Sequence, residues 1–418
     1  MIFYDISLFR FVCFSKKQIL KDLAPEPTAP LNTVSYKGCT LRYNPSANRD
    51  STNFYVFLKI IFLYRRLSLH MHKPPADAAP SNIQIVDIHH LALSQPHPLS
   101  LFTSSALRPV SLYTGVNQSQ RGLSYLRETI KISLRAVFSY PTARLWIALW
   151  NSSPFHKDLA LANPSILKKI FRPYLSRQLT CGARLELVYS HYALIAQQQL
   201  GDLVLAAAKA PVTLSQFTGK SGAIYQLELL AATTMEREGE LVLQLRNGGH
   251  AHDSAQDSVL FSVAFTFFSR AGTSGVAIGC LQGGREPNSL EQIRVATKDM
   301  YGLRPKTLLV RLVQQLGLQL QCEDLLLVGN KNRVVTQPLK KGKVFADYDA
   351  SWQELQAEPR ADGDFRLPCV ALAEPDMASI PSHKRSEAKK RFGLLSSISQ
   401  STCESFFAQD PAQDFLPK

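Results

Sequence analysis

The run from Gly275 to Lys306 constrains the fold of this chain more than any other stretch, and it reads GVAIGCLQGG, then REPNSLEQIRVATKDMYG, then LRPK. Its apolar residues from Val276 to Ile278 are short and uninterrupted, which is typical of a strand buried on both faces. Glycines follow that strand, and they supply backbone freedom that a side chain would forbid. The segment therefore predicts a buried strand that enters a glycine turn.

Two helices are predicted after this turn. Ser289 and Gln292 have the capping-box spacing, so we expect the first helix to begin at Leu290. Pro305 suits the first turn of a second helix, and Gly317 is placed to end it.

Strands are predicted on either side of these helices. YQLELLAAT, which starts at Tyr225, and then ELVLQLR and VLFSVAFTFF, are β-rich runs separated by turn residues. With GVAIGC they predict an antiparallel meander, and Leu325 to Val328 predicts a strand that returns to the sheet. The sequence thus indicates an α+β fold, in which a helical N-terminal part packs on a mixed, largely antiparallel sheet.

The helical part begins at Gly122. Apolar spacing predicts an amphipathic helix that Pro141 stops, and a further helix from Ala183 to Leu200. Trp146 and Trp150 are four residues apart and share a helix face, where core packing and a paired aromatic platform for a ligand are both conceivable.

Residues 1–121 do not have the pattern of a folded domain, because Pro-, Ser- and His-containing stretches interrupt every apolar period. They carry 13 basic and 6 acidic side chains, a net charge of +7, which is half of the +14 of the whole chain. We expect a poorly ordered extension or a misassigned start here, a domain over residues 122–375, and a basic helix with a flexible tail over 376–418. Because the body is only mildly basic, the charge does not predict a nucleic-acid partner.

The seven cysteines include no CxxC pair, which indicates a reducing compartment rather than a disulfide framework. No apolar run reaches the roughly 20 residues of a membrane-spanning helix. A basic cluster in the tail is compatible with an anionic inner-membrane surface or with a surface helix docked on the domain. We therefore expect a cytoplasmic protein that is either free or peripheral at the inner membrane. The cluster comprises Lys384, Arg385, Lys389, Lys390 and Arg391.

Five motifs occur in order along the chain, namely GCLQGG, TKDMYGLRPK, LLLVGN, KVFADYDASWQEL and KRSEAKKRF. In these motifs the chain resembles the VirK/YbjX family of bacterial proteins, over roughly Gly122 to Leu395. The resemblance implies a role in bacterial envelope and virulence physiology: resistance to host antimicrobial peptides, response to another organism, and placement of an outer-membrane virulence protein. It implies no reaction and no catalytic residue, so an enzyme and a non-catalytic adaptor for an envelope protein both stay open.

The order of meander, glycine turn, helix, strand and late hairpin also resembles that of the acyl-CoA N-acyltransferases, in which backbone amides at a helix start bind a pyrophosphate. The sequence departs from their motif, because Gln282 directly precedes the first glycine of its pair. On this hypothesis the cofactor is acyl-CoA, and glycines and nearby cations form one anion site. Its expected members are Gln282, Gly283, Gly284, Arg294, Lys298, Arg304 and Lys306.

No residue stands out as catalytic, and His191, Glu228 and Tyr301 are weak candidates for a general acid or base. Cys280 would need a base that the sequence does not locate. No metal site is predicted. Histidines that could act as ligands are His89, His90 and His97, and separately His250 and His252 with Asp253, but loop histidines exposed to solvent are the more common case.

Overall fold

The computed structural model describes residues 32–36, 39–43, 109–117, 122–231, 235–248, 258–270, 273–335 and 347–408. The chain divides into two compact units, residues 1–105 and 106–418. In the first unit, strands β1 (Asn32–Tyr36) and β2 (Cys39–Tyr43) form an antiparallel hairpin.

The second unit begins with helices. They are α1 (Thr114–Asn117), α2 (Leu123–Phe138), α3 (Tyr140–Trp150), α4 (Pro154–Ala162), a 3-10 helix (Pro164–Phe171), α5 (Cys181–Gln197) and α6 (Gly201–Lys209). Pro141 lies in the first turn of α3, where its missing N–H costs nothing, so it separates α2 from α3 as predicted. Trp146 and Trp150 are fully buried, with ring centroids 5.1 Å apart.

A sheet of eight strands follows in the described part of this unit, in the order β3-β4-β5-β6-β7-β8-β10-β9. Its strands are β3 (Val212–Thr218), β4 (Ile224–Ala231), β5 (Leu241–Asn247), β6 (Ser258–Arg270), β7 (Thr273–Gly283), β8 (Asp324–Leu327), β9 (Glu358–Pro359) and β10 (Phe365–Pro368). Its neighbours are antiparallel, except that β7 and β8 are parallel. The predicted α+β fold with a mixed, largely antiparallel sheet is confirmed.

Two helices connect β7 to β8, namely α7 (Ser289–Asp299) and α8 (Pro305–Gln319). Two parallel neighbours need such a crossover. Pro305 occupies the first turn of α8 as predicted, but the prediction that Gly317 ends this helix is wrong. A Cβ at Gly317 would lie 2.8 Å from Cγ1 of Val276, so this glycine lets α8 pack closely on β7.

Helices cover the sheet and close the hydrophobic core. α5 packs on β6, and α6 packs on β4, so the helical N-terminal part does lie against the sheet. α9 (Tyr348–Glu354) follows β8, and α10 (Ser382–Phe407) ends the described chain. The C-terminal half of α10 packs on β3 and α8 and buries Ile398 and Phe406.

Candidate functional site

The predicted glycine bend lies at the end of β7. Gly283 pairs with Phe261 of β6, and the Gly284 N–H donates to the Leu260 carbonyl over 2.9 Å. Gln282 is half-buried and pairs with Ser262. The Gly284 amide is therefore engaged in prolonging the sheet, and the structure does not direct it toward a ligand.

The four predicted cations fall into two groups. Arg304 and Lys306, at the start of α8, both contact the carboxylate of Glu354 in α9, over 3.0 Å and 2.7 Å. Arg294 instead pairs with Glu291 of its own helix over 2.9 Å, and Lys298 of the same helix is exposed. Two of the cations thus converge on one negative group, and that group is a side chain of the protein itself.

The weak catalytic candidates lie in three different places. His191 is fully buried in α5, where its Nδ1 accepts from the Phe267 N–H over 3.3 Å and burial lowers its pKa to about 4. Glu228 in β4 accepts from the Gln244 amide across the sheet, over 3.2 Å. Tyr301 follows α7, and the ammonium of Lys390 lies 5.8 Å from its ring centroid. The contacts just given tie each of these three residues to a different part of the fold.

A different part of β7 contains a β-bulge. Ala264 of β6 pairs with Cys280 and the next residue, Phe265, pairs with Ile278, so β7 has one extra residue at Gly279. A Cβ at Gly279 would lie 2.0 Å from the Glu238 carbonyl oxygen, so only glycine lets the connection between β4 and β5 cross here. Such bulges redirect neighbouring side chains and are over-represented beside active sites.

The bulge lies where the two parallel strands separate. β8 pairs with β7 over Gly275 to Ile278 and ends at Leu327, while β7 continues to Gly283. The hydroxyl of Tyr348 lies at the edge of β7 that β8 leaves unpaired, where it donates to the Leu281 carbonyl over 2.8 Å and accepts from the Leu281 N–H over 2.9 Å. A side chain thus satisfies the two backbone groups that a neighbouring strand would otherwise bind.

Local contacts hold Tyr348 at this place. Asp347 caps α9 by accepting from the Ala350 N–H, and Asn330 accepts from the Tyr348 N–H over 3.0 Å. The guanidinium of Arg333 lies 3.8 Å from the centroid of the Tyr348 ring, within the range of a cation–π contact.

Two further polar groups complete what we call the bulge cluster, which consists of Glu238, Cys280, Arg333 and Tyr348. The Cys280 sulfur lies 3.3 Å from the Tyr348 hydroxyl oxygen, and its thiol hydrogen-bonds with the Glu238 carboxylate. Cys280, Glu238 and Tyr348 are buried at 6%, 9% and 1% exposure. Three groups that exchange protons therefore meet at the point where β7 and β8 diverge.

The electrostatics of the bulge cluster assign different states to its members. Burial raises the pKa of Cys280 to about 12, so the thiol is protonated at neutral pH and is a poor nucleophile. Burial also raises the pKa of Tyr348, which stays a hydroxyl donor. Burial raises the pKa of Glu238 as well, although the Cys280 thiol and the charge of Arg333 oppose the shift. A carboxylate with a raised pKa accepts a proton more readily than an ordinary one.

A second buried network joins the helices to the sheet. The Lys169 ammonium lies 2.7 Å from the Glu240 carboxylate, and both side chains are almost fully buried. Tyr192 donates to the same carboxylate over 2.7 Å, and the Glu240 N–H donates to the Thr266 hydroxyl over 3.0 Å. These polar atoms satisfy one another, so this network reads as structural.

The described residues offer neither a cluster of metal ligands nor a membrane-spanning helix. They contain no group of three or more His, Cys, Asp or Glu side chains that could hold a metal ion. No helix in this part of the chain combines the length and the apolar composition needed to cross a bilayer. The histidines that the sequence offers as ligands lie outside the described residues, at positions 89, 90, 97, 250 and 252.

Comparisons with known proteins agree with the sequence motifs. The family model for a protein of unknown function, DUF535, matches residues 121–404. The chain is 27% identical to the uncharacterized protein YbjX of Escherichia coli strain K12 over 321 residues, which span 75% of this chain and 95% of the relative.

Two shorter matches are to proteins of Haemophilus influenzae. One uncharacterized protein is 29% identical over 158 residues, which span 38% of this chain and 50% of the relative. Another is 24% identical over 176 residues, which span 42% and 56%. The chain thus spans about half the length of these two proteins. No solved structure is significantly similar to the chain.

Proposed function

The chain belongs to the DUF535 family of proteins of unknown function, with YbjX of E. coli among its relatives, and from that premise we propose that it transfers an acyl group from acyl-CoA to an amine of a bacterial envelope component. The envelope setting rests on the resemblance to the VirK/YbjX family. It includes resistance to host antimicrobial peptides, response to another organism and placement of an outer-membrane virulence protein. The reaction rests on the arrangement of the sheet.

The observation that carries the proposal is the separation of β7 from β8 at a bulge. An antiparallel meander is followed by a helical crossover, one parallel pair and a final hairpin, which is the order that resembles the acyl-CoA N-acyltransferases. Beyond Ile278, β7 no longer pairs with β8 and presents Leu281 toward Tyr348. A ligand that displaced the Tyr348 hydroxyl would reach this buried strand edge without breaking the sheet.

The bulge cluster supplies the groups that such a transfer needs. The amine nitrogen forms a bond to the thioester carbonyl carbon, the carbon–sulfur bond breaks, and the amine loses a proton while the departing sulfur gains one. The Glu238 carboxylate is the acceptor for the first proton, because its raised pKa suits that task. The Tyr348 hydroxyl, protonated at neutral pH, is the donor nearest the strand edge.

The described residues fit acyl-CoA under two conditions. Tyr348 bonds both backbone groups of Leu281, so an extended ligand that paired with this residue would displace the hydroxyl. Arg304 and Lys306 could hold the phosphates, but they pair with Glu354, so a phosphate would compete with that carboxylate. Binding therefore exchanges existing contacts for new ones.

A labelled-transfer experiment tests the proposal. The purified full chain is incubated with acyl-CoA carrying an isotopic label in its acyl group and with an envelope fraction from the host bacterium. We expect label to appear in an amide-linked envelope component, and we expect Glu238→Gln to lose at least tenfold in rate, in keeping with the usual contribution of general base catalysis.

Glu236→Gln provides a matched control for this experiment. Glu236 lies in the same connection and pairs with Arg172 over 3.0 Å, outside the bulge cluster. The control should transfer label at the wild-type rate. Equal loss in both variants, or no label transfer by a folded wild-type chain, would refute the proposal.

One observation favours a second function, that of a non-catalytic adaptor for an envelope protein. An open cleft of about 580 Å³ lies between the end of α5, α8 and α10, and four glutamines line it. They are Gln198, Gln315, Gln319 and Gln400. Amide side chains both donate and accept, as binding of an extended peptide backbone requires.

Survival of the host bacterium under antimicrobial peptides separates the two functions. A chain that acts as an enzyme should fail to restore survival when it carries Glu238→Gln, while an adaptor should be unaffected by this change. Full restoration by Glu238→Gln would therefore favour the adaptor.

A further inference from the structure

The exposed face of α7 and the first part of α10 combine exposed apolar side chains with exposed basic ones. Leu290 and Val295 of α7 are 82% and 54% exposed, although transfer of leucine and valine side chains out of water is favourable. Arg294 and Lys298, on the same helix, are exposed as well. An exposed apolar side chain alone is ordinary, but here two lie on one short helix beside Lys298 and beside Arg294, which pairs with the exposed Glu291.

The first part of α10 contributes more positive charge. Every residue from 381 to 387 is exposed, and Ala388 is the first buried one. From Ser382 to Arg391 the helix carries five lysines and arginines against one acid, Glu387, a net charge of +4. All five cations are exposed, and Ala388 is the one buried residue between Ser382 and Arg391.

Contacts at the end of α7 join these two helices. The Lys390 ammonium lies 5.8 Å from the ring centroid of Tyr301, which follows α7 almost directly. A Cβ at Gly302 would lie 3.4 Å from Nη1 of Arg391. Since an α-helix rises about 1.5 Å per residue, Val295 lies roughly 6 Å along the helix axis from Asp299, the last residue of α7. Lys390 and Arg391 of α10 thus lie beside the end of the helix that carries Leu290 and Val295.

We infer that the exposed face of α7 and the first part of α10 together bind an anionic membrane surface, with the cations on lipid phosphates and Leu290 and Val295 in the acyl boundary. An anionic membrane surface binds this combination favourably, because basic side chains are attracted to anionic lipids while apolar side chains enter the interface. A nucleic-acid backbone offers no hydrocarbon phase for the two apolar residues, so it explains only half of the surface.

This surface lies close along the chain to the end of β7, which would give membrane binding a functional consequence. Five residues, 284–288, separate the end of β7 from α7, and Cys280 of the bulge cluster lies on the same strand. Docking would therefore bring the end of β7 toward the bilayer, where lipids and lipid-linked envelope components reside. Membrane binding does not depend on the proposed acyl transfer, and it is measured without any reaction.

Flotation of the full chain with lipid vesicles tests the inference. We expect the chain to float with vesicles of equal parts phosphatidylglycerol and phosphatidylcholine, and to stay behind with phosphatidylcholine alone. Binding should weaken in 1 M salt, where the screening length falls to about 3 Å.

Two sets of variants separate the charged and the apolar contributions. The triple variant Lys384→Glu, Arg385→Glu, Lys389→Glu should lower the partition coefficient at least a hundredfold, since each basic residue near the surface is worth about 1 kcal/mol. The double variant Leu290→Ser, Val295→Ser should lower it about tenfold or more, as loss of buried aliphatic side chains predicts.

Matched controls use exposed residues on other helices. Arg135→Glu, Arg144→Glu, Lys209→Glu makes the same change in net charge, and Leu123→Ser, Val137→Ser removes two apolar side chains from α2. Both controls should bind vesicles as the wild type does. Equal losses in test and control variants, equal binding to neutral vesicles, or preferential binding to single-stranded nucleic acid in a competition assay would overturn the inference.

Discussion

Replacing Tyr348 by phenylalanine removes one oxygen atom from the point where β7 and β8 separate. The ring stays in place, so apolar packing and the contact with Arg333 are conserved. What is lost are the hydrogen bonds to the N–H and the carbonyl of Leu281, of 2.9 Å and 2.8 Å. Leu281 is only 6% exposed, so water has little access to either group.

The expected cost follows from these two groups. A buried donor or acceptor that loses its partner costs about 1–3 kcal/mol. Allowing for partial relaxation of the strand edge, we expect Tyr348→Phe to lower the free energy of unfolding by about 2–4 kcal/mol. Urea titration should show this as a lower midpoint with an unchanged slope.

Tyr225→Phe is the matched control. The Tyr225 hydroxyl donates to Asp299 over 2.9 Å, and that carboxylate also accepts from the Ser221 N–H, so its loss should cost about 1.5 kcal/mol, the lower end of the range for a hydrogen bond to a charged group. Amide hydrogen exchange adds a local measurement, because the Leu281 N–H should exchange faster in Tyr348→Phe. A cost below that of Tyr225→Phe, with exchange at Leu281 unchanged, would refute the role assigned to Tyr348.

Three further predictions concern the buried pair, the bulge and the cation pair. Lys169→Met should destabilise the chain by about 3–5 kcal/mol at pH 7, because it leaves the Glu240 carboxylate buried without its cation. The native pair holds the pKa of Glu240 below its usual range, so the wild type loses this stabilisation as the pH falls through that pKa. In Lys169→Met burial should raise the pKa of Glu240 instead. The free energy of unfolding of this variant, measured by urea titration, should therefore increase as the pH falls from 7 toward 4.5. Gly279→Ala should destabilise by more than about 2 kcal/mol in the same titration, since its Cβ would lie 2.0 Å from a carbonyl oxygen, and a neutral effect would mean that the bulge relaxes freely. Glu354→Gln should bind CoA more tightly than the wild type by calorimetry, because it removes the carboxylate that pairs with two cations, and weaker binding would show that these cations do not hold phosphates.

Much of the sheet could be predicted from the sequence because its strands are rich in β-branched and aromatic residues. The runs that became β4, β5, β6 and β7 were recognised, as was the return of β8 after two helices. The sequence does not predict β3, because the apolar residues of VTLSQFT lose the period of two at Ser215-Gln216, next to a register shift in the pairing of β3 with β4. Gly317 was assigned to a helix end because glycine usually lies there, but here close packing on β7 decides its place.

The bulge cluster could not be predicted in the same way. Tyr348 lies 68 residues beyond Cys280, and Glu238 lies in a connection between two strands, so no spacing links the three. Only the pairing of β6 with β7 reveals that Gly279 is an extra residue. The partners of the cations could not be predicted either: Arg294 pairs with a carboxylate three residues earlier, while Arg304 and Lys306 share Glu354.

Calorimetric titration of the full chain with acyl-CoA tests the central claim most directly, because that claim is a ligand site where β7 separates from β8. We predict saturable binding by the wild type, together with slower hydrogen exchange along residues 280–283 in the complex. Absence of binding at any acyl-chain length, by a chain that unfolds cooperatively, would contradict the account.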